Sequence, residues 1–376
     1  MKSPFQYGKL AEGQKFVNRV NERQMLKNNL VSGINTILIS PRRLGKSSLV
    51  KLATQELLLE NKDIKVCYID AFTINSEETL YQTFAREIVK STSNKWENWL
   101  TTAKKYLAAL SPRISIGNDP TFDFSIGLEM SRIKENELEL LNLPETIARA
   151  KNLKIIVCID EFQNLAKMKT YPELEQKMRS VWQHQQNVTY CLYGSKRHMM
   201  IDIFNSSAKP FYRFGQIMFL SKIAENDWVE FITKAFSKTD KIISQQLAAK
   251  LVSMVNLHSW YVQQLSHFVW NLTDSEVTED ILAQAIQQVI DANLPLYQRE
   301  CEALTAAQIN LLRAIANEER MLTSADTAAK YHLGSSQNVS KNKNVLQNAD
   351  LIEKVNTGFD FLDPVFKRWF INEYNM

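Results

Sequence analysis

"ILISPRRLGKSSLVKLA", residues 37–53, joins an apolar run to a helix-forming run through a short charged loop holding a glycine. Residues 40–47 read S-P-R-R-L-G-K-S, which matches the phosphate-loop pattern G-x-x-x-x-G-K-S/T at every fixed position but the first. Such a loop works by curling backbone N–H groups around phosphate oxygens at the positive start of a helix. Lys46 adds a charge on the phosphates, Ser47 offers a hydroxyl to Mg²⁺, and Gly45 lets the backbone approach closely. Pro41, Arg42, Arg43, Leu44 and Ser48 complete the predicted cradle. Ser40 stands where glycine is expected. The residue before a proline is biased toward extended geometry, which serine tolerates, so the loop is expected to work unless position 40 needs a positive φ.

A second motif lies about 115 residues downstream. "KIIVCIDEFQNL" (154–165) is an apolar strand ending in Asp160-Glu161. An acid at that strand end holds the metal shell and the next one polarises water. Either motif alone is a moderate signal; the pair points to a nucleotide hydrolysis site.

Around these motifs, "TILIS" (36–40), "IKVCYID" (64–70), "VTYCLYG" (188–194) and "QIMFL" (216–220) are nearly continuous apolar runs alternating with helical stretches. Strands buried on both faces read this way, so the first part of the chain is expected to be α/β with a parallel sheet. "RISIGNDPTFDFSIGLE" (113–129) alternates on both sides of Asn118-Asp119-Pro120 and predicts a β-hairpin, and "LNLPETIARA" (141–150) reads as a helix. After residue 222 strand signals vanish. Four helical patterns follow, with Pro295 expected to end the block. Three short helices and "EKVNTGFDFLD" (353–363) then have the order of a winged helix-turn-helix. The predicted division is a nucleotide-binding domain over 1–222 with a hairpin insertion over about 104–145, an α-helical lid over 223–298 and a winged helix over 299–376.

Composition narrows the partners. Hydrophobic residues make up 45%, enough for more than one core, and no run approaches a membrane helix. The start lacks a signal-peptide pattern. Cys67, Cys158 and Cys191 sit in apolar strand-like runs, so they read as buried free thiols in a reducing, cytoplasmic setting. Residues 1–60 hold ten Lys/Arg against four Asp/Glu, so positive charge gathers around the phosphate loop. Residues 305–376 hold eight of each. A recognition helix over 335–347 would present Lys341 and Lys343 to DNA, but the neutral domain makes a protein or intramolecular contact the favoured role. The tryptophans Trp96, Trp99, Trp228, Trp260, Trp270 and Trp369 read as packing rather than base-stacking residues.

"FVNRVNERQML" (16–26), "SPRRLGKSSL", "VCIDEFQNL", "LYGSKRHMMIDIF" (192–204) and "KPFYRFGQIMFL" (209–220) together resemble the archaeal-type ATPases of the AAA+ superfamily, relatives of the STAND ATPases and origin-recognition initiators. The resemblance implies a P-loop sheet, a lid and a winged helix, with ATP or ADP as nucleotide. It implies that Phe16 and Arg19 help hold the adenine, unless they merely start an amphipathic helix. It places Ser195 at a polar sensor position, where an N-cap is the alternative. It places Arg213 where relatives carry an arginine finger acting on a neighbouring copy, where a plain surface arginine is the alternative. The region 256–268 carries no Arg or Lys to serve as a second sensor. His258 there reads as a packed or capping residue, while Arg42 and Arg43 are placed to compensate or to pair with the lid. Asp70 reads as a helix cap. The resulting expectation is a Mg²⁺-dependent ATPase acting as a switch, with a protein client or a second copy as partner. The alternative is a winged-helix DNA-binding regulator with a structural nucleotide.

Overall fold

The computed structural model describes residues 2–9, 16–93, 96–110, 112–115, 124–355 and 358–374. Two compact units divide the chain: Arg19–Ser221, and Met1–Asn18 together with Lys222–Met376.

In the first unit the elements run α1 (Val20–Val31), β1 (Thr36–Ile39), α2 (Lys46–Glu60), β2 (Ile64–Asp70), α3 (Glu77–Ser91), α4 (Trp96–Tyr106), β3 (Arg113–Ser115), β4 (Ser125–Gly127), α5 (Met130–Glu135), α6 (Glu137–Lys151), β5 (Lys154–Asp160), α7 (Tyr171–Trp182), β6 (Val188–Gly194), α8 (Arg197–Asn205) and β7 (Gln216–Phe219). Five strands form one parallel sheet in the order β2-β5-β6-β1-β7. Every residue of β1 and β6 is buried, which is why these strands read as continuous apolar runs. The strand order decides where the chemistry goes. β6 lies between β1 and β5, with Ile39 opposite Gly194 and Ile159 opposite Leu192. The loops leaving the carboxyl ends of β1, β5 and β6 therefore open at one edge, where ligands of open α/β sheets bind. Asn35 ties the opposite ends together: its Oδ1 accepts from Tyr190 N at 2.9 Å and its backbone oxygen accepts from Gln216 N at 2.8 Å.

The predicted hairpin is present, with β3 and β4 antiparallel and Ile114 opposite Ile126. Its turn at Asn118-Asp119-Pro120 lies outside the described residues. Trp182 stacks on Tyr190 at 4.1 Å between ring centres and adjoins Phe211 and Phe214, filling the core on one side of the sheet.

The second unit holds α9 (Glu225–Ser237), α10 (Gln245–Met254), α11 (Ser259–Leu272), α12 (Glu279–Glu302), α13 (Ala306–Ala316), α14 (Ala325–Lys330), α15 (Ser336–Asn348), β8 (Ile352–Val355), β9 (Gly358–Phe361) and α16 (Pro364–Tyr374). Thr305, Ser324 and Ser335 each cap a helix through a side-chain oxygen, and Thr305 forms a full capping box with Gln308.

Two features depart from the sequence reading. Pro295 does not end the helical block. It sits inside α12, which runs on to Glu302 because Tyr297 and Cys301 beyond it are buried, and that packing outweighs the donor lost at the proline. The hairpin β8–β9 is followed by a helix, α16, whose Val365, Phe366, Trp369 and Phe370 are buried. These residues share one apolar cluster with the lid helices. Tyr261 on α11 donates to the Asp363 carboxylate, which also accepts from the N–H groups of Val365 and Phe366 at 2.9 Å and so starts α16. All four cysteines are free and buried, and Trp228, Trp270 and Trp369 are core residues. The side chain of Trp96 lies outside the described residues.

Residues 1–18 cluster with the helical unit rather than with the sheet. Phe5 packs against Phe231 and Phe236, Tyr7 against Trp260 and His267, and Gln6 N donates to Gln263 Oε1 at 3.1 Å. Replacing a buried phenylalanine such as Phe5 by alanine removes about 3–5 kcal/mol. Denaturant unfolding of Phe5→Ala, followed by tryptophan fluorescence, is expected to show a lowered midpoint; an unchanged midpoint contradicts a load on this contact.

Candidate active site

The loop after β1 turns into α2 through Gly45, whose φ of 93° lies in the left-handed region that only glycine enters freely. Arg43 shares a positive φ of 62°, but Ser40 does not. Ser40 is buried, its Oγ donates to the Pro41 carbonyl at 2.9 Å, and its N–H continues the β1–β6 ladder to the Gly194 carbonyl at 3.4 Å. Serine at this position therefore ends the strand with its polar atoms paired, and a glycine's conformational freedom is not needed. Arg42 and Arg43 are exposed, while Leu44 and Ser48 are buried beneath them.

Arg19 is almost wholly buried. Its guanidinium donates to Glu22 Oε1 at 2.9 Å and to the Leu44 carbonyl at 3.4 Å, so it braces the phosphate loop from behind. Burial pushes the Arg19 guanidinium down and the Glu22 carboxylate opposes it. Phe16, half-buried, belongs with the helical unit.

Lys46 opens α2 with its side chain only 6% exposed, and its Nζ lies 3.8 Å from Glu161 Oε1. Burial lowers its proton affinity, with Glu161 and Asp160 pulling the other way. Next to it, Ser47 Oγ donates to Asp160 Oδ2 at 2.7 Å, which joins the loop after β1 to the end of β5. Asp160 Oδ1 accepts from Glu161 N at 2.8 Å. Burial pushes the Asp160 carboxyl up, against the Ser47 hydrogen bond and the Lys46 charge. The Ser47 hydroxyl and the Asp160 carboxylate form a hard-oxygen donor pair of the kind Mg²⁺ takes, so these residues fit that ion.

Glu161 follows β5 with φ 50° and ψ 40°, a strained conformation for a residue with a side chain. Its Oε2 accepts from Ser195 Oγ at 2.7 Å, from Ser195 N at 3.4 Å and from the Gln163 amide. Burial pushes this carboxyl up, but Lys46, Ser195 and Gln163 together outweigh it and leave it below the ordinary glutamate range. Asp160 and Glu161 are thus neighbours with opposite displacements, the arrangement expected where two carboxyls have different tasks.

The structure brings Arg19, Leu44, Lys46, Ser47, Asp160, Glu161 and Ser195 to the carboxyl edge of one sheet. Asp70 caps the turn after β2, accepting from Phe72 N at 2.8 Å. Arg213 is exposed, with φ 54°, and its guanidinium lies 5.1 Å from the Tyr212 ring centre. His258 is buried at the start of α11, makes no side-chain cap, and packs against Tyr261. Lys341 is exposed on α15, whereas the Lys343 ammonium lies over the Phe359 ring at 5.2 Å. Sequence reasoning missed Gln163 and Gly194 as parts of the site. The only linear signals were the Gln two places after the acid pair and the glycine closing an apolar strand.

Comparison with known families places an ATPase domain predominantly from Archaea over residues 16–251 and a probable winged helix domain over residues 295–372. No curated protein matches the chain. Among solved structures, a Walker-type ATPase of Pyrococcus abyssi is 18% identical, with TM-score 0.68, covering 96% of this chain and 97% of its own. The Orc2 protein of Aeropyrum pernix, solved as ADPNP–ADP complexes, is 15% identical with TM-score 0.56, covering 98% and 96%. The Orc1 protein of Aeropyrum pernix, in complex with DNA, is 12% identical with TM-score 0.51, covering 96% and 94%. At these identities the likeness is one of fold.

Two substitutions separate the roles of the two loop ends. Ser40→Gly is expected to leave ATP affinity within about twofold, because its φ is ordinary. Gly45→Val is expected to weaken it about tenfold or more, since left-handed strain of about 1–3 kcal/mol falls on the loop itself. Calorimetric titration of ATP into each variant distinguishes them.

Proposed function

The chain belongs to the family of ATPase domains found predominantly in Archaea, and we propose that it binds ATP at the loop of residues 40–48 and hydrolyses the γ-phosphate in a Mg²⁺-dependent reaction. The observation that carries this reading is the Ser47–Asp160 hydrogen bond of 2.7 Å with Glu161 anchored one residue further on, because it joins both halves of a hydrolytic site. The loop amides and Lys46 hold the phosphates. Ser47 and Asp160 hold Mg²⁺, which when bound neutralises phosphate charge. Glu161 orients a water and takes its proton. The water oxygen forms a bond to the γ-phosphorus, the bond from that phosphorus to the bridging oxygen breaks, and ADP departs with the bridging oxygen. Lys46 balances charge gathering on the phosphates, and its buried setting strengthens that attraction.

We read the output as a switch. Nucleotide state biases the contacts of the lid and winged helix with a protein client or a second copy of the chain. Arg213 supports the second-copy version, since it is exposed. A finger in trans would reach the phosphates of a neighbour's site. For the winged helix, a protein contact is favoured over DNA, because Lys343 is engaged with Phe359 and the domain carries no net charge. Among the described residues no helix is long and apolar enough to cross a membrane.

Glu161→Gln is expected to lower turnover by about 10²–10⁴-fold while ATP still binds. Loss of binding together with turnover would contradict a base role. If Arg213 acts in trans, turnover per molecule rises with protein concentration, and mixing Glu161→Gln with Arg213→Ala restores activity that neither variant has. The Glu161 carboxyl lies below its ordinary value in the folded protein, so it stays charged as pH falls from neutral to the usual glutamate range. Its contribution to stability is present above the unfolded-state pKa and is lost only as pH drops through the lower folded one. A kcat/KM–pH profile, which reports the free enzyme, is therefore expected to show no acid limb from this group near neutrality.

A further inference from the structure

The two oxygens of Glu161 have unequal surroundings. Oε2 is surrounded by three donors: the Ser195 hydroxyl at 2.7 Å, the Ser195 N–H at 3.4 Å and the Gln163 amide. Oε1 is the oxygen 3.8 Å from Lys46 Nζ, on the side of the phosphate loop. Gln163 is buried, and its own Oε1 has no hydrogen-bond partner. An unpaired buried oxygen is unfavourable, yet turning the amide over would place that oxygen against a carboxylate. The charge on Glu161 therefore selects the N–H₂ edge and leaves the amide oxygen facing away.

That oxygen lies where a side chain at Gly194 would have to be. A Cβ there would come within 1.9 Å of Gln163 Oε1 and 3.0 Å of Gln163 Cδ. The next obstacle is the flexible thioether of Met200 at 2.9 Å. Gly194 has ordinary strand geometry and continues the β6 ladder, so no positive φ explains it. A side chain at 194 would instead take the space that the Gln163 amide fills.

We propose that Gln163, admitted by Gly194, is a positioning residue for the hydrolytic step. With Ser195 it pins Glu161 through Oε2, so that Oε1 is the oxygen that takes the water's proton. This rests on the ATPase reading above. A glutamine there solely for packing would leave the aim of Glu161 untouched. A donor to the carboxylate fixes its direction, and removing the donor frees it to turn.

The test uses the full chain. Gln163→Met keeps volume and loses the donor. It is expected to leave the KM for ATP within about twofold and lower kcat about tenfold or more. Gly194→Ala is expected to reproduce the kcat loss and lower the thermal midpoint, because its Cβ evicts Gln163. In a Gln163→Ala background the same Gly194→Ala change is expected to do little to either quantity, since only Met200 must yield. A wild-type kcat in Gln163→Met overturns the proposal alone. Additive effects of the two changes overturn the interlock. A wild type with no turnover at any protein concentration overturns the ATPase reading, and this proposal with it.

Discussion

An ammonium ion taken out of water must be met by opposite charge, and the site is organised around meeting that of Lys46. Its Nζ lies 3.8 Å from Glu161 Oε1, and Ser47 beside it in the loop donates to Asp160 at the end of β5. The phosphate loop, β5 and the start of β6 are thereby tied into one polar cluster at the edge of an otherwise apolar sheet. ATP would enter as a competing anion. It would draw Lys46 onto the phosphates and leave Glu161 to its remaining partners, Ser195 and Gln163. The same charge that stabilises the site without nucleotide thus becomes the charge that binds it.

The parallel sheet makes this economical in residues. Because β6 separates β1 from β5, the three loop starts stand side by side, and short side chains suffice to bridge them. Serine at 40, 47 and 195 is enough: one ends a strand, one donates to Asp160, one donates to Glu161. The helices serve mainly to bury the sheet's two faces, and the buried aromatic group of Trp182, Tyr190, Phe211 and Phe214 lies well within that core.

What could be read from the linear chain divides along a physical line. The central strands β1, β5 and β6 were legible because burial on both faces leaves an unbroken apolar signature, β2 and β7 because their runs stay largely apolar although partly exposed, and the loop and acid pair because their chemistry needs particular residues at fixed spacing. Four things depended on contacts between distant residues and left little trace. Gln163 and Gly194 are separated by 30 intervening residues, and each alone looks ordinary. Arg19 supports Leu44 through a backbone carbonyl, which no side-chain pattern encodes. Pro295 punctuates the sequence but not the helix, because buried residues beyond it decide the matter. The grouping of Phe5 and Tyr7 with the helical unit was invisible for the same reason.

That last grouping makes the sheet unit an insertion in the chain of the helical unit, which begins with residues 1–18 and resumes at Lys222. During synthesis Phe5 emerges more than 200 residues ahead of Phe231 and Phe236. At about 5–20 residues per second the segment waits on the order of ten seconds or longer for its partners. The sheet unit can complete its core in that interval; the helical unit cannot. The segment carrying Phe5 and Tyr7 is therefore among the last parts to find its place, and these aromatic residues stay open to chaperones or to other chains throughout.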